Sequence, residues 1–336
     1  MNRVTIADVA REAGVSLMTV SRALNNKDGI SLETRAHVLE VIQRLGYRPS
    51  GVARSLVTRR TGTIGLIVPD VSNPYFSGIA HGVAEVANQN DLSVLLCDTE
   101  EQSEQEMEFL RVLEEKQVDG VIVAAPRHSS EQILPQIARH QNVVVVNRVF
   151  QNYPGFTASG YVINDDRIGG QLATAHLLAR GHRCIGYLGG PRSSYGSQRR
   201  LIGYKTVLEE AGIPLNENYI VYCHPTVKGG SEAILALLKT DPHITAVFCF
   251  NDMVAIGALQ AIAQLGRKVP DDLAIVGYDD IPMASWVTPA LTTLRAPFEE
   301  MGRLATRLLI DRFQECEEGC ENIELQPELI VRASAP

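Results

Sequence analysis

The sequence predicts two folds in tandem. A small all-α helix-turn-helix headpiece with a short hinge helix behind it is followed by an α/β body of two similar halves, each a doubly wound parallel sheet. Three observations carry this expectation. Residues 1–60 hold ten Arg/Lys against five Asp/Glu, a net +5, whereas residues 61–336 hold 21 against 34, a net −13, within a chain whose formal charge is −8. Helical periodicity with tight turns fills the first 46 residues. From Thr63 onward, β-branched apolar runs alternate with amphipathic segments, the pattern of parallel strands covered by helices on both faces. A basic head on an acidic body points to a polyanion at one end of the chain.

In the head, Thr5 with Asp8 three residues on marks a capped helix start, and Ile6, Val9, Ala10 and Ala13 share one face before Gly14 stops the helix. Ser16 caps a second helix that runs to Leu24. A helix, a three-residue turn and a second helix make the helix-turn-helix pattern. At 100° per residue, Val20, Ala23 and Leu24 fall inward, while Leu17, Met18, Ser21 and Arg22 face out. That outer set suits base edges in a major groove: a guanidinium pairs with guanine, and apolar side chains touch thymine methyls. A third helix, capped by Ser31, carries Val38, Val41, Ile42 and Leu45 at core spacing and ends at Gly46.

The joint, residues 49–60, reads as a helix of about two turns started by Pro49-Ser50 and too short to be stable alone, since isolated helices under ~12 residues are marginal. Val52 and Leu56 share a face ringed by Arg54, Arg59 and Arg60. Such a surface fits DNA better than a protein core, while composition alone also fits an ordinary solvated linker.

In the body, apolar runs at Ile64–Val68, Ser93–Cys97, Gly120–Ala124, Val143–Asn147, Cys184–Leu188, Tyr219–Cys223, Ala246–Phe250 and Leu273–Gly277 read as strands, about four to each half. Helical stretches such as Tyr75–Asn88, Ser103–Glu115, Ile168–Ala179 and Asp252–Leu265 separate them. The expected domains are 1–48, 49–60 and 61–336. Within the body the first lobe takes 61–163 and 292–322 and the second 164–291 and 323–336. The chain is expected to return to the first lobe after Pro289, with Leu291–Leu294 and Ile323–Val331 as crossing strands and Phe298–Phe313 as a helix. In open α/β sheets ligands bind beyond the carboxyl ends of the strands. The residues there are polar: Asp70 with Ser72-Asn73-Pro74-Tyr75-Phe76, Asn147-Arg148, Arg200, Asn251-Asp252 and Asp279-Asp280. Fixed donors and acceptors beside flat rings suit a neutral polyol such as a sugar.

Composition excludes other classes. There is no run of ~18 apolar residues and no apolar leader, so a cytoplasmic protein without membrane insertion is expected. Cys97, Cys184, Cys223 and Cys249 lie in or beside apolar runs as small hydrophobes. Cys316 and Cys320 lack a second ligand pair, and His128, His140, His176, His182 and His243 are scattered, so neither a metal nor a cofactor is expected. No Walker A loop, nucleophile elbow or dinucleotide loop occurs; Gly186-Tyr187-Leu188-Gly189-Gly190 has the wrong spacing, and an enzyme is not expected. A stand-alone sugar-binding receptor would explain the body but leave residues 1–60 without a task.

The run Val4-Thr5-Ile6-Ala7-Asp8-Val9-Ala10-Arg11-Glu12-Ala13-Gly14-Val15-Ser16, then Thr19-Val20-Ser21-Arg22-Ala23-Leu24-Asn25, Gly46-Tyr47-Arg48-Pro49 and Ala53-Arg54-Ser55-Leu56, resembles the lactose/galactose repressor family. The resemblance extends over the body, which is similar to periplasmic sugar-binding proteins. It implies a transcriptional regulator, a homodimer on pseudo-palindromic operator DNA, with a small effector, a sugar or sugar derivative, between the lobes. The DNA-facing set it implies is Thr5, Ser16, Leu17, Met18, Thr19, Ser21, Arg22 and Asn25, with Ser50, Ala53, Arg54 and Leu56 in the joint, Leu56 as a minor-groove wedge. The effector set it implies is Asn73, Tyr75, Phe76, Asn147, Arg148, Arg200, Asn251 and Asp279. Near His224-Pro225 the sequence lacks the stacking ring that several relatives place there. No leucine heptad follows the last strand, and no tetramer is expected.

Overall fold

A computed structural model describes residues 4–47, 60–150, 160–313 and 321–336, and the chain divides into two compact units, Met1–Thr61 and Gly62–Pro336. Residues 49–59 of the predicted joint, with Ser50, Ala53, Arg54 and Leu56, lie outside the described residues.

In the first unit, α1 (Ile6–Glu12), α2 (Leu17–Leu24) and α3 (Leu32–Leu45) start at Thr5, Ser16 and Ser31, whose side chains accept from the N–H of Asp8, Thr19 and Thr34. Asp8 completes a capping box by accepting from the Thr5 N–H at 2.9 Å. Gly46, at φ 62°, ends α3 in the left-handed region that glycine enters without strain. Val9, Ala10, Ala13, Val20, Ala23, Val38 and Val41 form the buried core. Arg35 adds a lock with no sequence signal: its guanidinium donates to the carbonyls of Arg22, Ala23 and Lys27, satisfying the end of α2.

The second unit begins with β1 (Thr63–Val68), α4 (Pro74–Gln89), β2 (Ser93–Asp98), α5 (Ser103–Glu115), β3 (Gly120–Ala124), α6 (Ser130–Ile137), β4 (Val143–Val146) and β5 (Gly160–Asn164). It continues through α7 (Asp166–Ala179), β6 (Ile185–Gly189), α8 (Tyr195–Glu210), β7 (Ile220–Tyr222), α9 (Val227–Thr240), β8 (Ala246–Cys249), α10 (Asp252–Gln264), β9 (Ala274–Asp279) and β10 (Thr292–Arg295). The last elements are α11 (Phe298–Phe313), β11 (Glu321–Leu325) and β12 (Glu328–Ile330). Two six-stranded sheets result, ordered β11-β5-β4-β3-β1-β2 and β12-β10-β9-β8-β6-β7. All pairings are parallel except β10 with β12, so the second sheet has an antiparallel edge where only parallel strands were expected. Strand alternation sorts the core of the first lobe: Ile64, Leu66 and Val68 pack toward α4 and α11, and Ile67 packs toward α5 and α6.

The described strands outnumber the prediction. Gly160–Asn164 is a strand that closes the first lobe, one residue past the expected break at 163. The expected return after Pro289 is also corrected. Thr292–Arg295 pairs with β9 and so belongs to the second lobe, and α11 is the element that returns to the first. The expected crossing Ile323–Val331 is two strands: β11 pairs with β5 in the first lobe, and β12 pairs with β10 in the second. The terminus fixes β10 there, because the Thr292 N–H donates to Ser334 Oγ and Ser334 Oγ donates to the Ile275 carbonyl.

Three helix pairs in this unit touch backbone to backbone through reciprocal glycines. A Cβ on Gly82 or Gly302 would lie 2.1 or 2.2 Å from a carbonyl oxygen of the other helix, Glu299 or Ile79, locking α4 to α11. Gly170 and Gly203 stand 2.2 Å by the same measure from the carbonyls of Arg200 and Arg167, locking α7 to α8. Gly230 and Gly257 repeat the arrangement between α9 and α10 against Val254 and Val227.

Candidate functional site

The carboxyl ends of both sheets face one cleft, and polar side chains placed there by the strand ends line it: Asn73, Glu101, Arg127, Asn147, Asp166, Ser194, Arg200, Asn251 and Asp279, with Tyr75, Phe76, Pro225 and Phe250 as its apolar walls. The inner cavity measures about 30 Å³, and an outer chamber of about 380 Å³ adjoins it between Asp70, Glu100 and Glu101 of one lobe and His224, Pro225, Thr226, Lys228, Gly229 and Glu232 of the other. Four non-glycine residues of the inner lining sit in the left-handed region, Glu101, Ala125, Asn147 and Asp279, at φ 58°, 47°, 59° and 108°. Such strain persists where surrounding structure enforces it, and it gathers at ligand sites.

On the first-lobe wall, Asn73 caps α4, its Oδ1 accepting from the Tyr75 N–H at 3.0 Å. A capping role and the cleft position coincide in this one residue. Tyr75 is buried edge-on to Phe76 at 5.1 Å and to Phe298 at 5.6 Å, and its hydroxyl meets Asn147 Nδ2. Burial pushes the Tyr75 phenol above its ordinary pKa, so it stays a neutral donor and acceptor. Asn147 Oδ1 is buried without a hydrogen-bond partner, as is Asn164 Oδ1 on an adjoining recess.

On the second-lobe wall, Arg200 rises from α8 almost fully buried. Its Nε donates to Asp166 Oδ1 at 2.9 Å, its Nη1 to the Phe250 carbonyl, and its Nη2 lies 3.7 Å from Asp279 Oδ1. The guanidinium also stacks on the Tyr278 ring at 3.5 Å. Burial opposes its charge, but Asp166, Tyr278 and Asp279 outweigh burial and hold its pKa above the ordinary value. Burial drives the Asp279 carboxyl well above the usual range, with Arg200 pulling against it. Asn251 caps α10 and accepts from the Val254 N–H at 2.9 Å.

Of the predicted effector set, Asn73, Tyr75, Phe76, Asn147, Arg200, Asn251 and Asp279 line the inner cavity, and Arg148 does not. With Asn147 in the left-handed region, the chain turns so that Arg148 points back over the loop, donating to the carbonyls of Pro126 and His128 and stacking on Phe150. The first-lobe guanidinium in the cleft is Arg127, held by Glu101, and the sequence reading assigned neither to the cleft. Asp166 and the ring of Phe250 were missed as well. Phe250 supplies a flat wall that the His224-Pro225 segment lacks.

On the headpiece, Leu17 and Met18 are 52% and 64% exposed at the start of α2, an arrangement with no packing reason. Ser21 and Arg22 are exposed on the same helix, and the Arg22 guanidinium passes against Gly29. Thr5 and Ser16 act as caps, Thr19 shares a hydrogen bond with Ser16 at 2.9 Å, and Asn25 Nδ2 donates to the Ser21 carbonyl at 2.8 Å. Among the described residues, no group of three His, Cys, Asp or Glu could hold a metal, and no helix is long and apolar enough to cross a membrane.

A helix-turn-helix unit with exposed apolar and basic side chains, joined to a two-lobed ligand cleft, defines the class of ligand-responsive gene regulators. Comparison with known proteins places the chain within that class. It belongs to the LacI family: residues 5–50 match the bacterial regulatory proteins of the lacI family, and residues 61–333 match the periplasmic binding proteins and sugar binding domain of the LacI family. The ribose operon repressor of Halalkalibacterium halodurans is 38% identical over 332 residues, covering 98% of this chain and 96% of its own length. The HTH-type transcriptional regulator DegA of Bacillus subtilis is 37% identical over 334 residues, covering 99% and 98%. Among solved structures, the Lac repressor dimer bound to operator and the anti-inducer ONPF matches with a TM-score of 0.87 at 27% identity over 99% of both chains. The CelR–cellobiose complex matches with a TM-score of 0.74 at 32% identity, covering 99% of this chain and 100% of that one.

Proposed function

We propose that this protein is a transcriptional repressor that binds a pseudo-palindromic operator as a homodimer in the cytoplasm and that a small polyol, a sugar or sugar derivative, held in the cleft switches its operator affinity. The observation that carries the ligand reading is the meeting of Asn73, Tyr75 and Asn147 from one lobe with Arg200, Asn251 and Asp279 from the other around one cavity. A ligand bonded to both walls favours the closed cleft, and it shifts DNA affinity by its differential affinity for the two states. The inner cavity, at about 30 Å³, has room for about two waters at ~10–15 Å³ each, so a sugar enters only as the lobes part. In the headpiece, Leu17, Met18 and Arg22 read bases, and Thr5, Ser16, Thr19, Ser21 and Asn25 lie near phosphates, as the family resemblance implies. The relatives' names support this reading: two are regulators or repressors of transcription, and one solved relative is bound to operator.

The test is a mobility-shift screen of genomic fragments at physiological salt, repeated with D-ribose, cellobiose and purines. A specific shift that one of these ligands strengthens or abolishes is expected. Absence of any specific shift would overturn the DNA-binding reading. A shift insensitive to every ligand, together with no calorimetric heat, would overturn the cleft reading.

A further inference from the structure

Glu101 and Arg127 form an ion pair that the fold builds with care. Arg127, whose side chain is 4% exposed, donates from Nε and Nη2 to the two carboxylate oxygens of Glu101 at 2.8 Å each, and from Nη1 to the Ala125 carbonyl at 3.1 Å. Its loop is clamped from behind by buried Glu106, which accepts from the backbone N–H groups of Arg127 at 2.6 Å and His128 at 3.1 Å. The pair therefore stands in a fixed place on the first-lobe wall, and Glu101 borders both the inner cavity and the outer chamber. Across the cavity, Arg200 is matched by Asp166 and Asp279. The two guanidiniums of the inner lining are thus each committed to a carboxylate. The outer chamber is lined by Asp70, Glu100, Glu101 and Glu232, with the exposed Lys228, 3.8 Å from Glu232, as the one lysine or arginine of its lining.

We infer that Glu101 is a specificity residue: by masking Arg127 it restricts the cleft to uncharged ligands and excludes phosphorylated or carboxylated forms of the same sugar. The inference rests on the ligand-cleft reading above and deepens it. A neutral hydroxyl can accept from an N–H that Arg127 has left over or donate to a Glu101 lone pair, and the pair survives intact. A phosphate monoester, carrying about −1.5 to −2, would have to take Arg127 for itself. That leaves the Glu101 carboxylate without its cation in a half-desolvated wall, beside a chamber already negative. With Glu101 removed, the same guanidinium is a ready fork for phosphate oxygens.

The experiment is calorimetric titration of D-ribose and D-ribose 5-phosphate into the full chain and three variants: Glu101→Gln, Glu101→Ala as a second unmasking substitution, and Glu101→Gln/Arg127→Gln. Phosphate binding to the basic headpiece is common to all four proteins and cancels in the comparison. Wild type is expected to bind ribose 5-phosphate no better than ribose. The single Glu101 variants are expected to gain at least about tenfold in affinity for the phosphorylated sugar, the scale of relieving one close like-charge contact. The double variant is expected to lose that gain, because the unmasked cation is gone. Wild-type preference for the phosphorylated sugar, no gain in either single variant, or a gain kept in the double variant would each overturn the inference. The readout is phosphate affinity on unmasking Arg127, so it does not depend on ribose being the natural ligand. Failure of the repressor reading would show instead in the mobility shift.

Discussion

Replacing Arg200 by Ala would test the second-lobe wall most severely, because one guanidinium there serves two carboxylates, a carbonyl and an aromatic face. Asp166 and Asp279 have side chains only 4% and 5% exposed. Two unit charges ~4 Å apart interact by about 4 kcal/mol at an effective dielectric of ~20, and breaking a buried pair from one side costs about 3–5 kcal/mol in measured cases. Arg200→Ala is therefore expected to destabilise the second unit by about 3–5 kcal/mol, a fall in Tm on the order of 10 °C. The loss should depend on pH in a definite direction. Burial already raises the Asp279 pKa in the presence of Arg200, and removing the cation raises it further. A raised folded pKa makes the folded state bind a proton that the unfolded chain releases, so the contribution is present at low pH and lost as pH rises. The deficit of the variant should thus not grow from pH 7.5 to pH 5.5. Urea unfolding of wild type and variant at both pH values measures it. A deficit under about 1 kcal/mol at pH 7.5, or one that grows on acidification, would refute the electrostatic account of this wall.

Three further outcomes are expected. Arg22→Ala should weaken operator binding by about 1–3 kcal/mol per half-site and relax preference at one base pair, read by in vitro site selection; an unchanged consensus would remove Arg22 from the reading set. Gly203→Ala should destabilise by about 1–3 kcal/mol through overpacking, because its Cβ would sit 2.2 Å from the Arg167 carbonyl; wild-type urea stability would show that α7 and α8 can separate freely. Asp252 is buried, accepts from the Ile281 N–H at 2.9 Å and the Thr293 hydroxyl at 2.6 Å, and has its pKa pushed by burial from 3.8 to about 7. Its contribution is full below the unfolded value and is lost as pH rises through about 7, so wild type should lose stability relative to Asp252→Asn between pH 5 and pH 8, and a constant difference would contradict the shift.

Strand ends were readable from sequence because each apolar run stops abruptly at a polar residue, and Asn147, Asn251 and Asp279 stand at those stops, with Asn73 five residues past the end of β1 as the cap of α4. Helix starts were readable for the same local reason, since Thr5, Ser16 and Ser31 announce them within three residues. What escaped depended on geometry that no short window contains. Arg148 follows Asn147 in the chain, yet the φ of 59° at Asn147 sends the two side chains to different places. Glu101 and Arg127 are 26 residues apart, and only the adjacency of β2, β1 and β3 brings their loops together. The crossing strands were misplaced because nothing within Thr292–Arg295 names its sheet; pairing with β9 makes the choice, and Ser334, 42 residues on, bonds to the strand there.

The reciprocal glycines bear on how such a cleft can change its ligand. Ser194 and Arg200 belong to the start of α8, while the spacing of that helix from α7 is set by Gly170 and Gly203 against main-chain oxygens. A carbonyl keeps its size whatever side chain its residue carries. Substitutions along the ligand-facing turn of α8 can therefore alter what the cleft recognises without moving the helix that presents them, and selection can rewrite one face of this protein while its framework stays in register.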